Sequence, residues 1–497
     1  MANIINQYGQ VKLGVRYVSA PLTSTLWGNI YSVYNADSVG SSSLKTSLYA
    51  VYNGESNTND SFGSNNGTPQ GGLTYTAGKI GNAFSFNGTN AYVTLSTSAC
   101  NFGTNSMSLS LWFYPNSGNV LQSLIHKGLT WANIPGFSLL LDNRYNSNQR
   151  GITFGLGDGY DFETISTVGS YTTTSWNHLI CTWDVVSKTV KIYINGLETA
   201  YTQSSIGGTG FSGISSFDNN GFNVQIGRYE TSYYFNGQID AFNIYNRVLT
   251  QSEVTELYNS GNGAQYIGDN FYKPTTNDAL NTNNGTAVGG LTYGLGKVGT
   301  AFVFNGTTAA VRLPDNSLNS LTGDFSISNW VYLPPTYLGT GGATVYMLWN
   351  ITASTWANNL KGIALRITSN TIVGFTICDG VSSASVSFND NVSTYLKNNS
   401  WVHITATRKG STGSKLYLNG VLVSSNTSTM NPVYSSTFQT PNIGNLRTTN
   451  SSGTVLINND FAFNGTKIDG LSVWSKELSA AEVTELYNSG NGKQYSN

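Results

Sequence analysis

Polar and apolar residues alternate along many short runs of this chain, among them Ser108-Leu109-Ser110-Leu111-Trp112-Phe113, Thr189-Val190-Lys191-Ile192-Tyr193-Ile194 and Lys415-Leu416-Tyr417-Leu418. A period of two sends successive side chains to opposite faces, so each run predicts a strand with one buried face. Asn-Gly pairs stand behind several of them, at Asn87-Gly88, Asn195-Gly196, Asn236-Gly237, Asn305-Gly306, Asn419-Gly420 and Asn464-Gly465. Both residues tolerate the positive φ of a type I′ turn, so each pair predicts a hairpin. Two stretches break the alternation. Thr250-Gln251-Ser252-Glu253 and Ser479-Ala480-Ala481-Glu482 are capping boxes, each opening a short apolar-striped helix that Gly261 or Gly490 would stop.

The pattern occurs twice. Glu253 to Gly263 recurs unchanged as Glu482 to Gly492, and Gly71-Gly72-Leu73-Thr74-Tyr75 returns as Gly289-Gly290-Leu291-Thr292-Tyr293. Between these ends, Phe84 to Thr89 pairs with Phe302 to Thr307, and Trp176-Asn177-His178 with Trp401-Val402-His403. A period above 200 residues is too long for a solenoid, so two whole domains stand in tandem. The expected division is an N-terminal arm at 1–45, one β-sandwich at 46–265 and a second at 266–497. Many strands at short spacing in each unit imply two packed sheets.

Composition narrows the function. Only 10% of the 497 residues are charged and the net charge is −1, so the chain lacks the positive field that nucleic acid requires. An aromatic content of 12% argues against charge-driven disorder. No run approaches the roughly 20 apolar residues that span a bilayer, so no membrane insertion is expected. Residues Met1 to Gln7 show neither a basic nor an apolar export region. Cys100, Cys181 and Cys378 form no paired motif and read as small buried hydrophobes.

Four ordered pieces carry a family resemblance. They are Asn59-Asp60 with Asn65-Asn66-Gly67-Thr68, leading to Gly81-Asn82-Ala83-Phe84-Ser85-Phe86-Asn87-Gly88; the strand Ser108 to Trp112; Trp176-Asn177-His178 with Tyr193-Ile194-Asn195-Gly196; and Phe235-Asn236-Gly237-Gln238-Ile239-Asp240. Together they resemble the laminin-G-like jelly roll of the concanavalin A-like lectin/glucanase superfamily. The resemblance implies an all-β fold of two tandem jelly-roll sandwiches, each with a short C-terminal helix, behind a β-prone N-terminal arm. It also implies Ca²⁺ as a candidate cofactor, at Asp60 with Asp240 and at Asp278 with Asp469. The competing reading is that these acids cap turns through their own backbone.

The fold hosts several functions, so the residues must choose among them. Glycosidases need two carboxylates flanking the scissile bond. Glu253, Glu256, Glu482 and Glu485 fall in the expected helices, Glu477 sits just before the second, and the second unit retains no strand-borne Glu. The Glu-x-Asp-x-x-Glu pattern of the family's glucanases is absent. No enzymatic role is therefore expected, and His178 and His403 read as half-buried rings bonded inside the sandwiches. Glycan binding suits the chain better. Trp131, Tyr229, Tyr233, Tyr234 and Trp356 lie in stretches that read as loops, where an aromatic either stacks on a sugar or packs on a neighbouring unit or subunit.

The expected setting is a virion surface, made in the host cytoplasm, of head-fibre, decoration or tail-fibre type. Low charge, an Asn/Ser/Thr/Gly-rich surface and the resemblance to phage structural proteins support it. Expected partners are host-surface glycans, sister chains in a homo-oligomer, and other virion proteins gripped through the arm. On that reading, deleting residues 1–40 leaves two folded domains. A bacterial surface or exported adhesin is the alternative, and a carbohydrate-active enzyme the third.

Overall fold

A computed structural model of the chain describes residues 26, 29–118, 121–128, 135–142, 151–158, 162–166, 171–206, 210–214, 221–268, 270–280, 282–338, 344–351, 360–368, 371–434, 440–449 and 455–493. Their strands form two sandwiches of antiparallel sheets. In the first, one sheet runs in the order Leu197–Glu198, Thr189–Ile194, Asn177–Asp184, Met107–Pro115, Asn236–Tyr245, Asn82–Asn87 and Thr74–Ala77, with Leu48–Tyr52 also paired to Asn236–Tyr245. The facing sheet runs Thr202–Ile206, Phe162–Ser166, Gly151–Gly157, Gly136–Asp142, Gln122–Lys127, Val224–Ile226, Tyr92–Thr94 and Thr68–Gln70. Leu109, Leu111 and Phe113 of one meet Phe137, Leu139 and Leu141 of the other in a single core. The second sandwich repeats this order around its own core, which includes Ile327, Val331, Leu365 and Phe375. The chain is all-β, with tandem jelly rolls each closed by one helix.

Both helices form where the capping boxes stand, at Gln251–Tyr258 and Ala480–Tyr487. Thr250 and Ser479 accept from the N3 backbone, while Glu253 and Glu482 reach back to the cap. They end earlier than expected. Asn259 and Asn488 take the left-handed conformation at the C-cap, so each turn is made before Gly261 and Gly490 are reached. Val254 and Leu257 dock on Ile180, Tyr193 and Tyr245, covering the outer face of the first sheet named; that sheet is the helix side, and its partner is the open side.

The Asn-Gly pairs divide. Asn195-Gly196 and Asn419-Gly420 have positive φ at both residues and join adjacent antiparallel strands, as expected. Asn87 and Asn305 instead turn the chain with their side chains. Each Oδ1 accepts from three backbone amides downstream, Thr89, Asn90 and Ala91 or Thr307, Thr308 and Ala309. Asn236-Gly237 opens a strand rather than a hairpin, because Gly237 lies so close to Tyr114 that a Cβ would sit 2.2 Å from its carbonyl oxygen.

The N-terminal segment departs most from expectation. Ile30–Tyr34 is no free arm: it pairs antiparallel with Lys467–Trp474, the strand of the second sandwich equivalent to Asn236–Tyr245. Leu48–Tyr52 fills the same slot in the first sandwich. The contacts match in kind. Val33 N donates to Asp278 Oδ1 at 2.8 Å and Val51 N to Asp60 Oδ1 at 3.0 Å. Tyr34 and Tyr52 donate to the carbonyls of Asn283 and Asn65. Leu26 lies under the second helix as Leu44 lies under the first, and accepts from Trp474 Nε1. Along the described residues the chain thus runs from the second sandwich through the first and back again. A small sheet of Asp37–Val39, Asn270–Pro274 and Gln265–Ile267 closes the crossing. Removing residues 1–40 would take a core strand from the second sandwich, which corrects the expectation of two intact domains.

Candidate functional site

The open side of the first sandwich carries an aromatic patch built by three neighbouring strands and one loop. Val224–Ile226 lies between Tyr92–Thr94 and Gln122–Lys127, so Tyr92, Gln225 and His126 come from three adjacent strands. Gln225 stands opposite His126, and His126 opposite Ser138, making a row across the sheet. The chain leaves this row through Gly227, which only glycine can occupy: φ is 84°, and a Cβ would meet the Phe86 ring at 2.4 Å.

The loop that follows is tightly knitted. Tyr229 and Ser232 exchange backbone hydrogen bonds, Ser123 N donates to Tyr233 O, and Phe235 N donates to Gly227 O. Glu230 and Tyr233 both hold φ near +50°, an uncommon conformation for side chains of their size. Such strain concentrates where a fold presents a functional group. Tyr233 is half exposed, while Tyr229 is buried with its ring centroid 4.1 Å from that of His126. Tyr92 and Tyr234 lie 6.3 Å apart, and the Arg228 guanidinium sits 3.6 Å from the Tyr92 ring and 5.9 Å from that of Tyr234. Arg228 Nε donates to Gln225 Oε1 at 3.0 Å.

The structure therefore gathers three of the five expected glycan residues, Tyr229, Tyr233 and Tyr234, into one patch. Trp131 and Trp356 lie outside the described residues. Tyr92, His126 and Arg228 were not foreseen. Arg228 was legible as the only cation in a tyrosine-rich stretch, but Tyr92 and His126 join it solely through strand order. The patch has one copy. Ala310 stands at the position of Tyr92, and the strand facing Asn442 presents Trp349 where the first sandwich presents His126.

The expected metal acids stand elsewhere and do other work. Asp60 accepts from the backbone amides of Val51, Phe62 and Asn65, and Asp278 from those of Val33, Leu280 and Asn283 together with the Thr282 hydroxyl. Each carboxylate pins its loop to the first strand of its sandwich. Asp240 accepts from Ile80 N at 2.9 Å, and Asp469 from Lys297 N and Val298 N at 2.7 and 2.9 Å. These two clamp the Gly-Lys-x-Gly turns, helped by Glu55 on Asn82 N and Asp37 on Thr300 N. Gly78 and Gly296 are required there, because a Cβ would lie 2.7 Å from the carboxylate. Burial pushes Asp240 up and Asp469 up to about 8, against the amides that pull them down.

Donors aimed at all four acids do not fit a Ca²⁺ site, which needs six to eight oxygens directed at one point. Among the described residues no three His, Cys, Asp or Glu side chains come together. The expected outcome is that Ca²⁺ or a chelator leaves the melting temperature unchanged, as scanning calorimetry would record.

The twin histidines are fully buried beneath the helices. His178 forms a triangle of rings with Trp112 and Tyr258, with Ser110 Oγ 3.3 Å from Nε2; His403 repeats this with Trp330, Tyr487 and Ser328 Oγ at 2.9 Å. Burial pushes His126, His178 and His403 each down to about 3. The unfolded chain, with ordinary values near 6.5, takes up these protons first. Stability is therefore complete above pH 6.5 and falls toward pH 3, by about 1.4 kcal/mol per pH unit for each histidine. Imidazole resonances followed by NMR should show no titration between pH 8 and 5; a midpoint near 6.5 would contradict the burial.

No curated protein matches this chain. Among solved structures, domain 4 of AbnA, a GH43 extracellular arabinanase from Geobacillus stearothermophilus, in complex with arabinotriose, is similar at 25% identity and TM-score 0.33, over 42% of this chain and 97% of that one. The binding domain of botulinum neurotoxin DC in complex with SialylT is similar at 18% identity and TM-score 0.32, over 43% of this chain and 48% of that one. The chain therefore spans about half the length of the toxin domain. A family model described as the concanavalin A-like lectin/glucanases superfamily matches residues 87–255 and again 305–484. These two segments cover most of both sandwiches, and the chain belongs to the concanavalin A-like lectin/glucanases superfamily.

Proposed function

We propose that the chain is a non-catalytic glycan-binding protein whose binding face is the open side of the first sandwich. The carrying observation is Tyr92 and Tyr234 on Arg228, with the half-exposed Tyr233 seated on the buried Tyr229 beside them. Aromatic faces give a sugar ring its apolar contact, while fixed polar groups set its orientation. Gln225, partly exposed beside the tyrosines, supplies such a group, with His126 and Ser138 buried behind it. The absence of catalysis rests on the buried state of His178 and His403 and on acids already committed to backbone amides.

The virion setting rests on composition and architecture. A surface of Asn, Ser, Thr and Gly with 10% charge and three free buried cysteines suits a particle protein that folds in a reducing cytoplasm. Ile30–Tyr34 is occupied within the chain, so attachment to other virion proteins falls to residues 1–25 or to the sandwich surfaces.

The test is binding of the purified chain to a panel of bacterial surface polysaccharides, with reducing ends assayed afterwards. Binding without chain cleavage is expected, and Tyr234→Ala should weaken it about tenfold, near 1.4 kcal/mol. Release of reducing ends would overturn the non-catalytic reading; retention of full affinity by Tyr234→Ala together with Tyr92→Ala would remove the site.

A further inference from the structure

Within the patch, Arg228 is the one cation, and its charge is not answered by the protein. Its Nε is taken by Gln225 at 3.0 Å, and Tyr92 covers one guanidinium face at 3.6 Å. Among the described residues Nη1 and Nη2 donate to nothing, and no Asp or Glu lies within ion-pair distance, Glu230 two residues along included. Four other cations are answered by carboxylates. Arg247 holds Glu253, Lys273 holds Glu256, Lys415 holds Glu477 and Lys476 holds Glu482. Arg408, which is buried, gives Nε and Nη2 to the carbonyls of Met430 and Thr429. The Arg228 guanidinium is oriented by a glutamine, stacked on a tyrosine and open at its two-donor edge.

We infer that the patch is built for an acidic saccharide, whose carboxylate takes the free edge of Arg228 while its ring lies against the tyrosines. This rests on the proposed glycan-binding role and adds the ligand's class. Tyr92 covers one face and Gln225 takes Nε, which leaves the Nη1/Nη2 edge for a carboxylate, and a carboxylate meets two parallel N–H donors in that plane. Gln225 fixes the fork before the ligand arrives, so little side-chain freedom is lost on binding. The second sandwich has alanine at 310 and asparagine at 445, so the stacked pair of Tyr92 and Arg228 has no counterpart there.

The experiment uses the full chain and two matched pairs: oligogalacturonate against its methyl ester, and sialyllactose against lactose, each titrated calorimetrically beside a neutral polysaccharide panel. The acid of at least one pair should bind 10- to 100-fold more tightly than its neutral partner, the range for losing a charged hydrogen-bonding group. Arg228→Gln should erase that difference without moving the melting temperature, and Arg228→Lys, which keeps charge without the fork, should restore part of it. Equal affinity for acid and neutral partners, binding of neutral saccharides only, or acid binding indifferent to Arg228→Gln would overturn the acidic ligand while leaving the glycan role intact. Silence across both pairs and the panel would take down both readings.

Discussion

A chain shortened to begin at Gly40 keeps its first sandwich and loses its second. The deletion removes Leu26, Val33, Tyr34 and Ala36, all fully buried, and strips the strand that pairs with Lys467–Trp474. Burying one such aliphatic or aromatic side chain is worth about 1.5–3 kcal/mol, so together they approach the whole stability of an ordinary domain, about 5–15 kcal/mol. The loss also leaves the Asp278 carboxylate, buried beside an empty slot, without its Val33 donor. Hydrogen exchange should show protection retained over 48–264 and lost over 282–493. A peptide of residues 26–39 added in trans should restore it, because an unpaired edge accepts a matching strand. Full protection of both halves in the shortened chain would refute the crossing.

Replacing Asp278 by alanine is the second large effect. One carboxylate there satisfies three backbone amides and a hydroxyl at a site closed to water. Each orphaned buried donor costs about 1–3 kcal/mol, and with partial relaxation a total of about 3–5 kcal/mol is expected. The twin substitution Asp60→Ala should cost a similar amount, but in the other sandwich. Calorimetry of the two variants should therefore move different transitions. Movement of the same transition in both, or a loss under 1 kcal/mol, would show that the acids do not hold the first strands.

These acids illustrate what the sequence could and could not disclose. Alternation, capping boxes and the long repeat were enough for two jelly rolls with terminal helices, because strands and caps are written in local periodicity. The destination of the first strand was written too, in a second and shorter repeat. Leu26, Ile30, Tyr31, Val33, Tyr34, Asn35 and Ser38 recur 18 residues later as Leu44, Leu48, Tyr49, Val51, Tyr52, Asn53 and Ser56. Two copies side by side mean two slots, and only the far sandwich lacked a strand. The acids misled because an Asp near an opening loop and another near a final strand look alike whether they meet a cation or a row of amides. Tyr229, Tyr233 and Tyr234 were legible as aromatics in a loop; Tyr92 and His126 were not, since their nearness depends on Val224–Ile226 inserting between strands about 100 residues earlier.

On the proposed function, the first sandwich alone binds a glycan, through its open side. Hydrogen exchange of the full chain with and without a bound oligosaccharide tests this directly. Added protection should appear at 92–94, 122–128 and 224–235, and none at the matching 310–312, 344–351 and 442–445. Protection centred on the second sandwich, or spread equally over both, would contradict it.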